Sequence, residues 1–235
     1  MTLAVIPIAG VPEIRPGDEL APLLADAAAA QGTPLLDGDC LVVTQKVVSK
    51  AEGRLVEIDP EDRDARRALV DRESVRVLRR RGDLIISETS HGFVCANAGV
   101  DFSNVDDGWA ALLPLDADRS ARHVRDALAA RADADVAVIV SDTFGRAWRL
   151  GLTDVAIGVA GLAAVVDLRG RRDGNGRELQ VTEVAVADEV AGAAELVMGK
   201  ASRVPAAIVR GLDPDWRRDG SARDVVRAAG DDLFR

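Results

Sequence analysis

Three stretches of this chain carry side chains suited to chemistry, and each interrupts an apolar run where no folding rule asks for polar residues. In "VIVSDTFGRAWR", residues 138–149, a run with the character of a buried strand breaks into Asp142-Thr143 and is followed by Arg146 and Arg149. The carboxyl end of a strand is where open sheets place ligand groups. A magnesium ion held mainly by substrate phosphates needs little more from a protein than a carboxylate and a hydroxyl. Arg146 and Arg149 suit phosphates or a substrate carboxylate, which the guanidinium fork binds through two parallel hydrogen bonds. The plainer reading of the same residues is a capped turn.

The second stretch, "VVTQKVVSKAEGR" (residues 42–54), sets Lys46, Ser49, Lys50 and Arg54 directly after an apolar strand. Lys50 and Arg54 share a face if the segment is helical, and cations beside a hydroxyl suit phosphate oxygens or a carboxylate. A solvated basic turn is the alternative. The third, "NAGVDFSNVDDG" (residues 97–108), crowds Asn97, Asp101, Ser103, Asn104, Asp106 and Asp107 into twelve positions. Hard oxygen donors of this kind suit Mg²⁺ or Mn²⁺, although an Asx-turn loop has the same composition. The spacing is not that of an EF-hand loop.

Several chemistries lack their signature. No P-loop or Rossmann glycine pattern is present, and no G-x-S-x-G or paired Cys and His marks a covalent nucleophile. His91 and His123 have no neighbours at metal-ligand spacing and read as structural or exposed.

The elements that would position these residues follow from pattern. A strand is expected over Leu3–Ile8, a helix over Glu19–Gln31 capped by Asp18, and a buried strand in "CLVVTQ". The stretch from Asp59-Pro60 to Gly82 reads as one long helix, with Arg79, Arg80 and Arg81 at its carboxyl end, where the helix dipole favours cations. Two short strands, "LIISET" and "FVCANAG", flank the turn "SHG". A helix over Ser120–Arg131 and a strand over Val136–Ser141 follow. The small apolar stretch from Leu150 to Leu168 is either strand and helix or a packed interface segment, because its periodicity does not decide. "RGRRDGNGREL" is a loop or hairpin. A strand in "QVTEVAV", a helix capped by Asp188, a strand in "VPAAIVRGL" and a polar tail complete the chain. The fold class expected is α+β or α/β without a clean βαβ rhythm.

The 235 residues suffice for a sizeable core, and 48% are hydrophobic. With aromatics at 3% and no Tyr, aliphatic residues must build that core. A net charge of −9 argues against a general nucleic-acid or anionic-membrane surface. Cys40 and Cys95 sit in apolar contexts and read as reduced, buried side chains. No signal peptide and no stretch of roughly 18 apolar residues is found, so a cytoplasmic protein is expected.

In order along the chain, "IPIAGVPEIRPGDEL", "VVTQKVVSKAEGR", "NAGVDFSNV", "SDTFGRAWR", "GRELQVTEVAVADEVAGAAELVMGK" and "PAAIVRGL" closely resemble the coenzyme F420-0:L-glutamate ligases. The resemblance runs from about residue 4 to residue 212. It implies an α+β fold of two-lobed subunits forming an intertwined homodimer, with the N- and C-terminal segments in one lobe and residues from about 90 to 180 in the other. It implies a GTP-dependent ligase that adds L-glutamate to F420-0, and in some members to F420-1, with Mg²⁺ or Mn²⁺ required and K⁺ helpful. By motif, Val11, Pro12, Glu13 and Ile14 match an N-terminal nucleotide contact, Gln45, Lys46 and Lys50 a second, and Asn104 a third. Val197, Met198, Gly199, Lys200, Ala201, Ser202, Arg203 and Val204 match a further nucleotide-binding loop. Asp101, Asp142 and Thr143 match the metal ligands. Some relatives carry a glutamate near Lys200, and Phe144 replaces a polar residue of others. Some also carry a C-terminal flavin-binding reductase domain, which is not expected here.

The residues and the resemblance agree at Asp101 and Asp142. Arg146 and Arg149 are assigned to anionic groups of the substrate. Two rival readings are a metal-dependent phosphohydrolase using the two aspartates and a nucleotide-binding module without turnover.

Overall fold

The chain winds around one five-stranded sheet into which its first, last and middle strands all enter. The computed structural model describes residues 2–59, 61–132 and 134–233. In chain order the elements are β1 (Ala4–Ile8), α1 (Leu20–Ala30), β2 (Cys40–Thr44), α2 (Gln45–Ala51), β3 (Leu55–Glu57), α3 (Arg63–Glu73), β4 (Ser74–Arg81), β5 (Leu84–Thr89), β6 (Val94–Ala96), β7 (Trp109–Ala111), α4 (Ala117–Ala132), β8 (Ala137–Arg146), β9 (Arg149–Ala160), β10 (Val166–Asp167), β11 (Glu183–Val184), α5 (Val186–Met198) and β12 (Ala206–Arg210). Short 3-10 turns fill the tail, at Pro214–Trp216, Ala222–Val225 and Ala229–Asp231. The fold is α+β, as expected.

The large sheet has the order β1-β12-β2-β8-β9. Only β2 and β8 pair in parallel, with Cys40 opposite Ala137 and Thr44 opposite Ser141. Both are continuous apolar runs because both faces are covered, and Leu41, Val42, Val138 and Ile139 are wholly buried. Helix α4 lies on β8 and β9, α1 packs on α4, and α5 lies on β9, β12 and β1. One of these contacts is made by Gly158 of β9. A Cβ there would overlap the carbonyl of Ala117 at the start of α4, so only glycine allows helix and strand to meet.

Helix α5 is tied to the sheet by Asp188. The sequence suggests a cap for that residue, but it lies in the first turn and accepts a hydrogen bond from the Ala156 amide at 2.9 Å. Asp18 likewise does not cap α1. It closes the preceding turn by accepting from the Arg15 amide at 2.7 Å.

A smaller core gathers Leu69, Val70, Ile85, Ala98, Val100, Ala110 and Leu112 beneath α3, the β4-β5-β6 sheet and the β3-β7 pair. Here the sequence misleads. The long helix expected up to Gly82 stops at Glu73, and its second half is strand β4, paired antiparallel with β5. The N-cap is Asp62, which accepts from the amides of Asp64 (3.0 Å) and Ala65 (2.9 Å); Pro60 lies outside the described residues. Arg79, Arg80 and Arg81 are therefore strand residues on a solvated sheet. Their neighbours explain how such a run tolerates a sheet: Arg76 pairs with Glu88 at 2.9 Å and Arg80 with Asp71 at 2.6 Å.

The stretch from Leu150 resolves into the long strand β9 and the short β10 rather than a helix. The strand expected in "QVTEVAV" is reduced to Glu183–Val184. Cys40 and Cys95 are buried free thiols, as expected. Among the described residues no helix is long and apolar enough to cross a membrane.

Candidate active site

Asp142 and Thr143 do not end their strand. β8 continues through them to Arg146 and turns back into β9, with Asp142 opposite Val155 and Thr143 opposite Asp154. A register shift between Val140 and Ser141 marks the point where the strand leaves the core. Such irregularities re-aim side chains beside functional sites. The consequence is a carboxylate and a hydroxyl held on a doubly hydrogen-bonded ribbon, not on a loose turn.

Asp101 reaches the same place from the other core. It bridges to Ala111, exchanging backbone hydrogen bonds of 2.9 and 2.8 Å. The loop before it is unusual. Asn97, Ala98 and Gly99 are three successive residues with positive φ (51°, 52° and 73°), and Asn104 adds a fourth at 51°. Left-handed backbone at non-glycine residues is costly and persists where surroundings over-determine it. Here the Asn97 side chain accepts from the Ile85 amide at 2.9 Å, Ala98 is buried, and a Cβ on Gly99 would lie 2.6 Å from Leu113 Cγ.

Lys46 and Lys50 project from α2, one turn apart. Lys46 pairs with Asp101 at 2.7 Å and donates to the carbonyl and hydroxyl of Ser103, whose amide donates to Asp101 at 2.7 Å. Burial alone would raise the Asp101 carboxyl, but the Lys46 ammonium and the Ser103 donors outweigh it and hold the pKa low. Lys50 pairs with Glu13 and so ties α2 to the segment carrying Val11, Pro12 and Ile14. Gln45 turns inward: it is buried, donating to Ser49 Oγ (2.6 Å) and the Leu112 carbonyl (2.9 Å).

Asp142 has the opposite electrostatics. Burial pushes its carboxyl up to about 7, against the Thr143 amide, and the neighbouring Asp101 and Asp154 carboxylates add to the rise. A half-buried carboxylate facing two others suits a bound cation. Asp101, Asp142 and the Thr143 hydroxyl are hard donors that fit Mg²⁺ or Mn²⁺. Among the described residues no three His, Cys, Asp or Glu side chains form a complete cage. A divalent ion here would draw its remaining ligands from phosphate and water, as Mg²⁺ commonly does.

One residue of the site has no signal in the sequence. Asp154 is 2% exposed, and its carboxylate accepts from Ser141 Oγ (3.0 Å), Thr143 Oγ1 (2.6 Å) and Lys200 Nζ (3.0 Å). In "GLTDVAIG" it reads as one acid in an apolar stretch. Only the cross-strand register with Thr143 reveals it. Lys200, just past α5, also meets Glu195 at 3.1 Å. Around it, Met198 is buried, the Ser202 hydroxyl donates to the Met198 carbonyl, and Arg203 has φ 55°.

Arg146 and Arg149 stand apart. They face each other at the tip of the β8-β9 hairpin, where Arg146 donates to the Leu150 carbonyl at 2.7 Å. Arg146 lies four residue steps along the strand from Asp142, roughly 13 Å. Beside them Trp148, Leu150 and Leu152 are 84%, 96% and 67% exposed. His91 donates from Nε2 to the Pro114 carbonyl at 2.8 Å and stacks on Phe93, and His123 is exposed near Glu19, so neither belongs to the site.

An acidic pair on two elements thus meets Lys46 of α2 on one side and Lys200, just past α5, on the other, and forms a candidate centre for anionic substrates. The model of the F420-0:gamma-glutamyl ligase family matches residues 10–211, and the chain belongs to that family. It is 45% identical over 253 residues to the coenzyme F420:L-glutamate ligase of Methanothermobacter thermautotrophicus, covering all of both chains. It is 44% identical to the enzyme of that name from Methanopyrus kandleri, covering all of this chain and 98% of the relative. For the Archaeoglobus fulgidus enzyme the identity is 38%, with 100% and 97% covered.

Proposed function

We propose that this protein is a GTP-dependent ligase that joins L-glutamate to coenzyme F420-0 through an acyl phosphate. The observation that carries the reading is the full-length likeness to ligases of that name, together with the meeting of Asp101, Asp142, Thr143, Lys46 and Lys200 at one place. In the reaction a carboxylate oxygen of F420-0 attacks the γ-phosphorus, the bond to the β,γ-bridging oxygen breaks, and GDP leaves. The amine nitrogen of glutamate, having lost its proton to solvent, then attacks the acyl carbon and phosphate departs. No enzyme nucleophile is needed, in keeping with the absence of a nucleophile motif.

A divalent ion held by Asp101, Asp142 and Thr143 would offset charge on the transferring phosphoryl group. The chain's own residues position the rest. Lys46, fixed by Asp101 and Ser103, and Lys50, fixed by Glu13, give two cations on one helix face for nucleotide phosphates. The segments 11–14 and 197–204, with Asn104, complete the nucleotide contacts. Excluding water from the acyl phosphate and aligning the amine supply much of the remaining rate.

The active unit is a homodimer in this reading. The exposed Trp148, Leu150 and Leu152 give the β8-β9 arm an apolar surface that a second copy would cover. Arg146 and Arg149 at its tip would then bind anionic groups of the acceptor in the neighbouring subunit's site. The experiment is incubation of the purified protein with F420-0, GTP, L-glutamate and Mg²⁺ or Mn²⁺, reading products by mass. Glutamylated F420 with equimolar GDP is expected. Phosphate release that persists without glutamate would replace the ligase with a phosphohydrolase, and GTP binding without turnover would reduce it to a binding module.

A further inference from the structure

The three oxygens around Lys200 form a cation site in their own right. Thr143 Oγ1 comes from β8, Asp154 Oδ1 from β9 and Glu195 Oε1 from the last turn of α5, and all three contact the one ammonium. Two are carboxylates, and Asp154 is 2% exposed. A buried carboxylate without a counter-charge is strongly unfavourable, so this acid requires a cation of some kind. The lysine side chain is half exposed, leaving an open path to the pocket that its ammonium fills.

The Thr143 hydroxyl shows what the ammonium does. A hydroxyl has one donor and two acceptor lone pairs. Its proton goes to Asp154 at 2.6 Å, and one lone pair takes the Lys200 N–H. With both partners fixed the hydroxyl cannot rotate, and its last lone pair has a single direction.

We propose that Lys200 is a tethered counter-ion. Its ammonium fills a three-oxygen cation site made by Thr143, Asp154 and Glu195, and thereby fixes the Thr143 hydroxyl for its role beside Asp142. Asp154 and Lys200 are positioning residues in this account. Truncating Lys200 opens a site for a small monovalent cation, for which ammonium and potassium are the natural probes. The claim about the cation site stands without the ligase reading. The claim about Thr143 rests on that reading, because it concerns the divalent ion.

The test uses the full chain without substrates. Lys200→Ala is melted in tetramethylammonium, ammonium and potassium chlorides at equal ionic strength. A fall of several degrees in tetramethylammonium, reversed by ammonium or potassium but not seen in the parent, is the expected result. A melting temperature equal to the parent's, or a fall that no small cation reverses more than tetramethylammonium does, overturns the proposal. The double variant Asp154→Asn with Lys200→Met removes both charges, which guards against a single variant that does not fold. It should melt near the parent and ignore the cation; instability as great as that of Lys200→Ala also overturns the proposal. Binding of Mn²⁺ alone, followed by electron paramagnetic resonance, reads the Thr143 arm. Affinity should drop at least tenfold in Lys200→Ala and return with ammonium, whereas an unchanged affinity removes that arm and leaves the ligase reading untouched.

Discussion

Asp101 and Asp142 sit close together yet are held in opposite electrostatic states, one kept ionised by Lys46 and the other pushed toward neutrality by burial and by its acidic neighbours. Both were visible in the sequence as acids breaking apolar runs. The residue pattern alone did not pair them; the family resemblance did, and the bridge between Asp101 and Ala111 is what holds Asp101 in place. Asp154 was invisible, because an acid within β9 acquires meaning only through the residue opposite it. Replacing Asp142 by Asn should lower kcat/KM for glutamylation by about 10²- to 10³-fold, with the melting temperature unchanged or raised. A loss under fivefold would remove Asp142 from the reaction. The thiols give a second test at this scale. Burial, and then the charge of Asp142, push Cys95 up to about 12, and burial raises Cys40 as well. Stability is not at issue, since both are protonated at neutral pH whether folded or unfolded. Reactivity is: at pH 8 the Cys95 thiolate is about one part in 10⁴. Neither cysteine should be alkylated by iodoacetamide in an hour under native conditions, and both should be after denaturation, as intact mass would show.

At the scale of elements, β1, α1, β2, β5, β6, α4, β8, α5 and β12 were legible from apolar runs and their period, whereas α2, β3 and β7 were not read as elements and β9 was left undecided. The failure at residues 74–81 has a physical cause. "SVRVLRRR" carries good helix formers, and only its pairing with β5, which buries Ile85 against Leu69 and Val70, makes it a strand. Ser74 marks the switch, with extended φ and ψ and a hydroxyl that donates to the Val70 carbonyl at 2.6 Å. The contact between α4 and β9 leaves no room for a side chain at Gly158. Gly158→Ala should destabilise the protein by about 3 kcal/mol, since the new methyl meets backbone and not a side chain that can turn away. That corresponds to a fall of roughly 6–12 °C in thermal unfolding, and a change below 2 °C would show that α4 can shift. Loss of the Arg210 guanidinium, which grips the buried Asp39 through contacts of 2.8 and 2.7 Å, should cost about 2–4 kcal/mol by denaturant titration for Arg210→Ala. Indifference there would mean that water replaces the arginine.

For the molecule as a whole, the position of the hairpin arm away from Asp142 makes a prediction that a self-contained site would not. If the protein is the homodimer proposed above and the arm serves its neighbour's site, mixed dimers of Arg146→Ala and Asp142→Asn subunits should regain about a quarter to a half of the parent's activity, depending on how the subunits distribute. They should regain none if each subunit works alone. The sheet order carries a separate consequence, for the making of the protein. Strand β12 lies between β1 and β2, so the neighbour that both early strands need is the last strand to be synthesised. On a ribosome adding about 5–20 residues per second, β2 waits roughly ten to thirty seconds for β12 with its edge uncovered. The large sheet can close only late, and a nascent chain stalled before Ala206 should be more sensitive to protease and more dependent on chaperones than the chain that includes β12.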